Sequence, residues 1–139
     1  MDILILNGPN LNLLGVREPE IYGHKTMEEV VGEIRFTFPH LSIHYFQSNH
    51  EGDIIDKLQE VGFSYHGIIL NAGGYTHTSV AIADAVNAIT TPVIELHISD
   101  ITQREDFRKV SFISAYVKDK VIGKGTAGYS EAVTLLENL

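Results

Sequence analysis

The run "VIELHIS" (93–99) sets Glu95, His97 and Ser99 at alternate positions. Alternate side chains of an extended strand share a face. A carboxylate would therefore stand beside an imidazole whose tautomer it can fix and whose basicity it can raise, as an orienting residue does for a proton-transferring histidine. Two readings of the strand are open. A half-exposed edge strand would merely turn these groups to water, whereas a central strand would bury ionisable groups that then need a chemical reason to be there. A second candidate is "NGPNLNLLGVREPEIYG" (7–23), a long segment too apolar for a simple linker and too rich in Asn, Gly and Pro for a helix. It places Arg17 five residues before Tyr22, and unstructured loops of this length are usually functional or disordered. Holding a tyrosine as phenolate near neutrality needs about 3 pKa units, or about 4 kcal/mol, of preferential stabilisation. Arg17 is the local cation that could supply part of it, and Gly15 and Gly23 flank the pair as possible hinges of a lid. The same two residues could equally face solvent, as loop residues often do.

The elements around these residues read as alternating strands and helices. "DILIL" (2–6), "LSIHYF" (41–46), "HGIILN" (66–71), "PVIELHI" (92–98) and "DKVIG" (119–123) have strand character. Three are nearly continuous apolar runs, as expected of parallel strands buried on both faces. Between them, "TMEEVVGEIRF" opens on the capping-box pair Thr26 and Glu29. "EGDIIDKLQEVG" carries Ile54, Ile55, Leu58 and Val61 on one stripe and stops at a capping glycine, Gly62. "TSVAIADAVNAI" and "YSEAVTLLENL" complete the set. The alternation predicts one domain over residues 1–139, an α/β fold with a flavodoxin-like, doubly wound, five-stranded parallel sheet and helices on both faces. In such sheets ligands bind beyond the carboxyl ends of the strands. That edge would collect Asn7, Asn10, Asn71 with the following "AGGYTHTS", and the Glu95–Ser99 group.

"TSVAIADAVNAI" is apolar around nearly its whole circumference, although helices of this architecture form the outer layer. Burial against a second copy would resolve the conflict and predicts a homo-oligomer; an alanine-rich surface helix is the alternative. Asp84 lies mid-helix and would then require a partner.

Composition narrows the class. The 139 residues carry a net charge of −8 and are 44% hydrophobic and 20% charged, which fits a globular domain and disfavours nucleic acid or an anionic membrane as partner. With no cysteine there is no thiolate nucleophile and no disulfide framework, which suits a cytoplasmic setting. No apolar run reaches membrane-spanning length, and "MDILILNGPN" lacks the basic start of a signal peptide. "GKGTAG" (123–128) matches a dinucleotide fingerprint literally, but the required downstream unit is missing, so a tight turn is expected. His40 and His44 share a strand face with no third metal ligand suggested. A phospho-receiver would need aspartates where Asn7 and Asn71 stand; a flavin- or phosphate-binding module using "AGGYTHTS" stays open, as does an inactive homologue.

Together "NGPNLNLLGVREPEIYG", "NAGGYTHTSVAIADA" and "VIELHISDITQREDFRKVSFIS" closely resemble the type II 3-dehydroquinate dehydratases of the shikimate pathway, over essentially the whole chain. The resemblance implies anti elimination of water from 3-dehydroquinate through an enolate, with no cofactor, metal or Schiff base. It implies Tyr22 as general base with Arg17 favouring its phenolate, His97 as general acid and Glu95 orienting it. Asn10 and Asn71 match residues that hold substrate and a water at the enolate oxygen. The amides of Ile98 and Ser99 match a carboxylate cradle, and His77 and Arg108 match groups binding ring hydroxyls. Asp84 matches a residue contributed by the neighbouring subunit of a dodecamer built from trimers. Ala83, Asp100, Thr102 and Gln103 depart from the common pattern without removing any of these groups.

Overall fold

The computed structural model describes residues 1–139. Five strands, β1 (Asp2–Asn7), β2 (Ser42–Gln47), β3 (Gly67–Asn71), β4 (Val93–His97) and β5 (Asp119–Ile122), form one all-parallel sheet in the order β2-β1-β3-β4-β5. This is the flavodoxin-like order, and its switch point lies between β1 and β3. The runs β1, β3 and β4 are buried almost end to end, so their continuous hydrophobicity is explained by two covered faces. The helices are α1 (Pro19–Tyr22), α2 (Met27–Thr37), α3 (Glu51–Val61), α4 (Val80–Ala88) and α5 (Ala127–Glu137). Strand alternation divides the core into two layers. Ile3, Ile5, Ile69, Ile94 and Leu96 pack with α2 and α5, while Leu4, Leu6, Ile68, Leu70 and Val93 pack with α3 and α4. Glu95 and His97 have the parity of Val93.

The long segment after β1 is not structureless. A 3-10 turn (Leu11–Leu13) and the short helix α1 shape it, and Leu11 and Leu14 are sunk in the core, which accounts for its apolar content. Gly15, at φ 93°, packs so tightly on the returning chain that a Cβ would lie 2.8 Å from the His24 carbonyl oxygen. Residues 15–24 are thus pinched together at their base and carry Arg17 and Tyr22 outward as one unit.

Two local expectations change. Gly62 does end α3, but at φ −67° it is not a left-handed cap. Glycine is required there because a Cβ would lie 2.4 Å from Ile89 Cγ2 and 2.4 Å from the Leu58 carbonyl oxygen. Helix α4 buries Ile82, Ala83, Ala85 and Val86 but leaves Val80, Ala81, Asp84 and Ala88 at the surface. Within one chain Asp84 is solvated and needs no partner. "GKGTAG" is a turn, and its amides serve β4: Gly123 N–H donates to the His97 carbonyl and Gly125 N–H to that of Ile98. His40 and His44 point to different carboxylates, Glu137 and Asp2.

Candidate active site

Strand β4 is central, between β3 and β5, so the edge-strand reading of "VIELHIS" fails. Glu95 is wholly buried and His97 nearly so. The Glu95 carboxylate accepts from His97 Nε2 at 2.5 Å, from Ser114 Oγ at 2.5 Å and from Ser111 Oγ at 2.7 Å. Burial by itself pushes the Glu95 carboxyl up; the hydrogen bonds from His97, Ser114 and Ser111 outweigh it and hold the group below its ordinary value. Glu95, ionised at pH 7, keeps a proton on His97 Nε2. The opposite nitrogen, Nδ1, is then the one available to exchange a proton with a ligand.

The other wall comes from the segment after β1. Tyr22 Oη accepts from Arg104 Nη1 at 2.7 Å and from Arg17 Nη2 at 3.4 Å, with the Arg17 guanidinium carbon also 4.7 Å from the ring centroid. Two guanidinium groups thus aim N–H donors at one phenolic oxygen. Arg17 and Tyr22 therefore meet as expected. Arg104 was missed: it lies 82 residues from Tyr22 in sequence and arrives on the irregular chain after β4.

One pocket joins these two groups, lined by Tyr22, Arg17 and Arg104 and by His97, Ile98 and Ser99. Asn10, Asn71, His77 and Arg108 also line it. The amides of Ile98 and Ser99 donate to no carbonyl of the chain, which leaves two adjacent N–H groups for an anion. Asn10 is left-handed, at φ 70°, and its backbone N–H is held by Asn49 Oδ1 at 3.0 Å. The His77 ring lies 6.4 Å from that of His97, nearly parallel to it. Burial lowers the His77 pKa below its ordinary value, more than the Val110 carbonyl raises it, so the ring is neutral at pH 7. Its Nδ1–H donates to that carbonyl at 2.7 Å, which leaves Nε2 as an acceptor for a hydroxyl. Arg108 is steadied by Glu105, Nε to Oε2, at 2.9 Å. Asp84 lies on α4, outside this pocket. Among the departures, Asp100 caps the turn at Ile101–Gln103 by accepting from the Thr102 amide and hydroxyl, and Ala83 is buried on α4.

Residues 1–137 match the family model described as dehydroquinase class II. The chain belongs to the class II dehydroquinase family. Relatives include the 3-dehydroquinate dehydratase of Prochlorococcus marinus (strain MIT 9301), 50% identical over 96% of this chain and 92% of its own length. That of Bacillus subtilis (strain 168) is 46% identical over 96% and 91%. Among solved structures, the type II dehydroquinase of Butyrivibrio crossotus superposes with a TM-score of 0.94 at 42% identity, over 99% of this chain and 97% of that one. Membership of the class II dehydroquinase family thus agrees with the fold and extends along the whole pocket-bearing chain.

Ser111 and Ser114 were also missed, although a signal existed. A carboxylate buried in a central strand needs more donors than one imidazole supplies, and "SFIS" offers a spaced pair of hydroxyls downstream. Because their bonds favour the ionised carboxyl, their stabilisation is present above the ordinary carboxyl value of 4.5 and lost as pH falls through the lower folded value. The double substitution Ser111→Ala/Ser114→Ala is therefore expected to cost about 3 kcal/mol at pH 7. The deficit should shrink below about pH 4.5 in urea-unfolding curves. A deficit as large at pH 3.5 as at pH 7 would mean that the serines act by packing alone.

Proposed function

We propose that this chain dehydrates 3-dehydroquinate to 3-dehydroshikimate, with Tyr22 as general base and His97 as general acid. The observation that carries the reading is the meeting, in one pocket, of a phenolic oxygen held by two guanidinium groups and an imidazole held by a buried carboxylate. The Tyr22 phenolate takes a proton from C2, and the electron pair passes into an enolate at C3. His97 Nδ1–H then protonates the C1 hydroxyl, which leaves as water while the enolate collapses to the enone. The unpaired amides of Ile98 and Ser99 suit the substrate carboxylate, Nε2 of neutral His77 and the Arg108 guanidinium suit ring hydroxyls, and Asn10 and Asn71 supply donors near the enolate oxygen. A lysine imine is not part of this route. No lysine lines the pocket, and Lys57 and Lys109 are engaged by Glu60 and Asp106.

The same reading includes a homo-oligomer, a dodecamer of trimers, in which Asp84 reaches a neighbouring subunit's site. Support comes from the surface of α4, where Val80, Ala81 and Ala88 surround Asp84, and from exposed Phe107 and Val110. The absence of cysteine supports a cytoplasmic setting, and no helix is long and apolar enough to cross a membrane.

Enone absorbance after adding 3-dehydroquinate tests the activity. Tyr22→Phe and Arg104→Ala are each expected to lower kcat at least about 100-fold with folding intact; a wild-type rate for Tyr22→Phe would remove it as the base. Asp84→Ala is expected to lower the mass found by sedimentation velocity as well as the turnover. An unchanged assembly at unchanged rate would refute its intersubunit role.

A further inference from the structure

The ends of β1 and β3 carry paired asparagines, Asn7 and Asn71, in register at the switch point of the sheet. Between them stands the hydroxyl of Tyr129, a fully buried residue of α5 that the proposed reaction does not use. Tyr129 Oη donates to Asn7 Oδ1 at 2.9 Å and accepts from Asn71 Nδ2 at 3.2 Å. On its other side Asn71 Oδ1 accepts from the Gly73 amide at 3.2 Å. Asn71 therefore has its oxygen committed to the Gly73 turn and one N–H committed to Tyr129. Its second N–H is the atom left for the pocket it lines.

We propose that Tyr129 is a positioning residue for the dehydration, acting through Asn71 to keep an N–H donor, and not a carbonyl oxygen, facing the enolate. The proposal rests on the activity assigned above.

The direction of the hydrogen-bond chain makes the argument. Tyr129 gives its single proton to Asn7, so toward Asn71 it can only accept. A phenol turned the other way would donate to Asn71 and call for its carbonyl, which would put an acceptor toward the developing negative oxygen. Burial pushes the Tyr129 phenol well above its ordinary value, so it remains protonated throughout the working range and the chain keeps its direction. The arrangement is costly to a core. Asn7 is wholly buried and its Nδ2 makes no hydrogen bond of ordinary geometry, with the Tyr45 hydroxyl as its side-chain company, while Oδ1 stays on Tyr129. Phenylalanine would fill the same volume without asking for partners. The polar trio is thus explained by orientation and not by stability.

The test is a double-mutant cycle, read as kcat per folded site with the folded fraction taken from near-ultraviolet circular dichroism. Tyr129→Phe should lower kcat about tenfold with KM within about twofold of wild type, since it disturbs an interaction made with the enolate rather than with the ground state. Asn71→Ala should lower kcat about 100-fold, and the double variant should be no slower than Asn71→Ala alone, because the hydroxyl would have nothing left to orient. Should Tyr129→Phe not fold, Asn7→Ala frees the hydroxyl instead and should show the same non-additive loss. A wild-type kcat in Tyr129→Phe, losses that multiply in the double variant, or a wild-type kcat in Asn7→Ala where Tyr129→Phe cannot be read would each overturn the proposal. A wild-type chain that forms no enone overturns the dehydratase reading, and this one with it; an active wild type with a silent Tyr129→Phe overturns this one alone.

Discussion

A carboxylate with no exposure to solvent, in the second most central kind of place a sheet offers, is the constraint from which the site follows. Glu95 on β4 can remain ionised only if donors reach it, and the imidazole of His97 supplies one. The others, Ser111 and Ser114, lie on the connection between β4 and β5, which must fold back over β4 to deliver them. Leaving a buried carboxylate short of donors costs several kcal/mol, so the path of that connection is strongly determined. Once it is laid down, Arg104 and Arg108 are brought to the pocket, and the Val110 carbonyl fixes His77 on its wall.

The segment after β1 completes the pocket from the opposite side. Its two buried leucines root it in the core, and the pinch at Gly15 carries Arg17 and Tyr22 out together. Tyr22 docks not onto its own loop alone but onto Arg104, so the proposed base is held partly by the chain that satisfies Glu95. His97, through Glu95, and Tyr22 are therefore coupled through one stretch of backbone. The proposed acid sits on the sheet, and the proposed base on a stretch with no fully buried residue between Gly15 and Thr26.

Much of this was legible in the sequence, for a physical reason in each case. Strands buried on both faces must be apolar throughout, so β1, β3 and β4 announce themselves. The period of two in an extended chain places Glu95 beside His97 without any tertiary information. Arg104 was not legible, because the chain between β4 and β5 consists of short 3-10 turns with no hydrophobic period and its partner lies 82 residues away; the two serines were signalled only by the donors that a buried Glu95 demands. Tyr129 reads as one more apolar position of α5; only its hydroxyl, meeting two asparagines at the switch point, distinguishes it. The all-round apolar character of α4 was legible, yet a single chain covers only one of its faces.

The central claim is that base and acid act from opposite faces of the substrate. It is tested most directly with 3-dehydroquinate carrying deuterium stereospecifically at one C2 position, each epimer turned over separately and the product examined by mass spectrometry. The account predicts that deuterium is lost from the epimer in which it lies anti to the C1 hydroxyl and retained from the other. Loss of the syn deuterium would place both proton transfers on one face and contradict the assignment of Tyr22 and His97 to opposing walls.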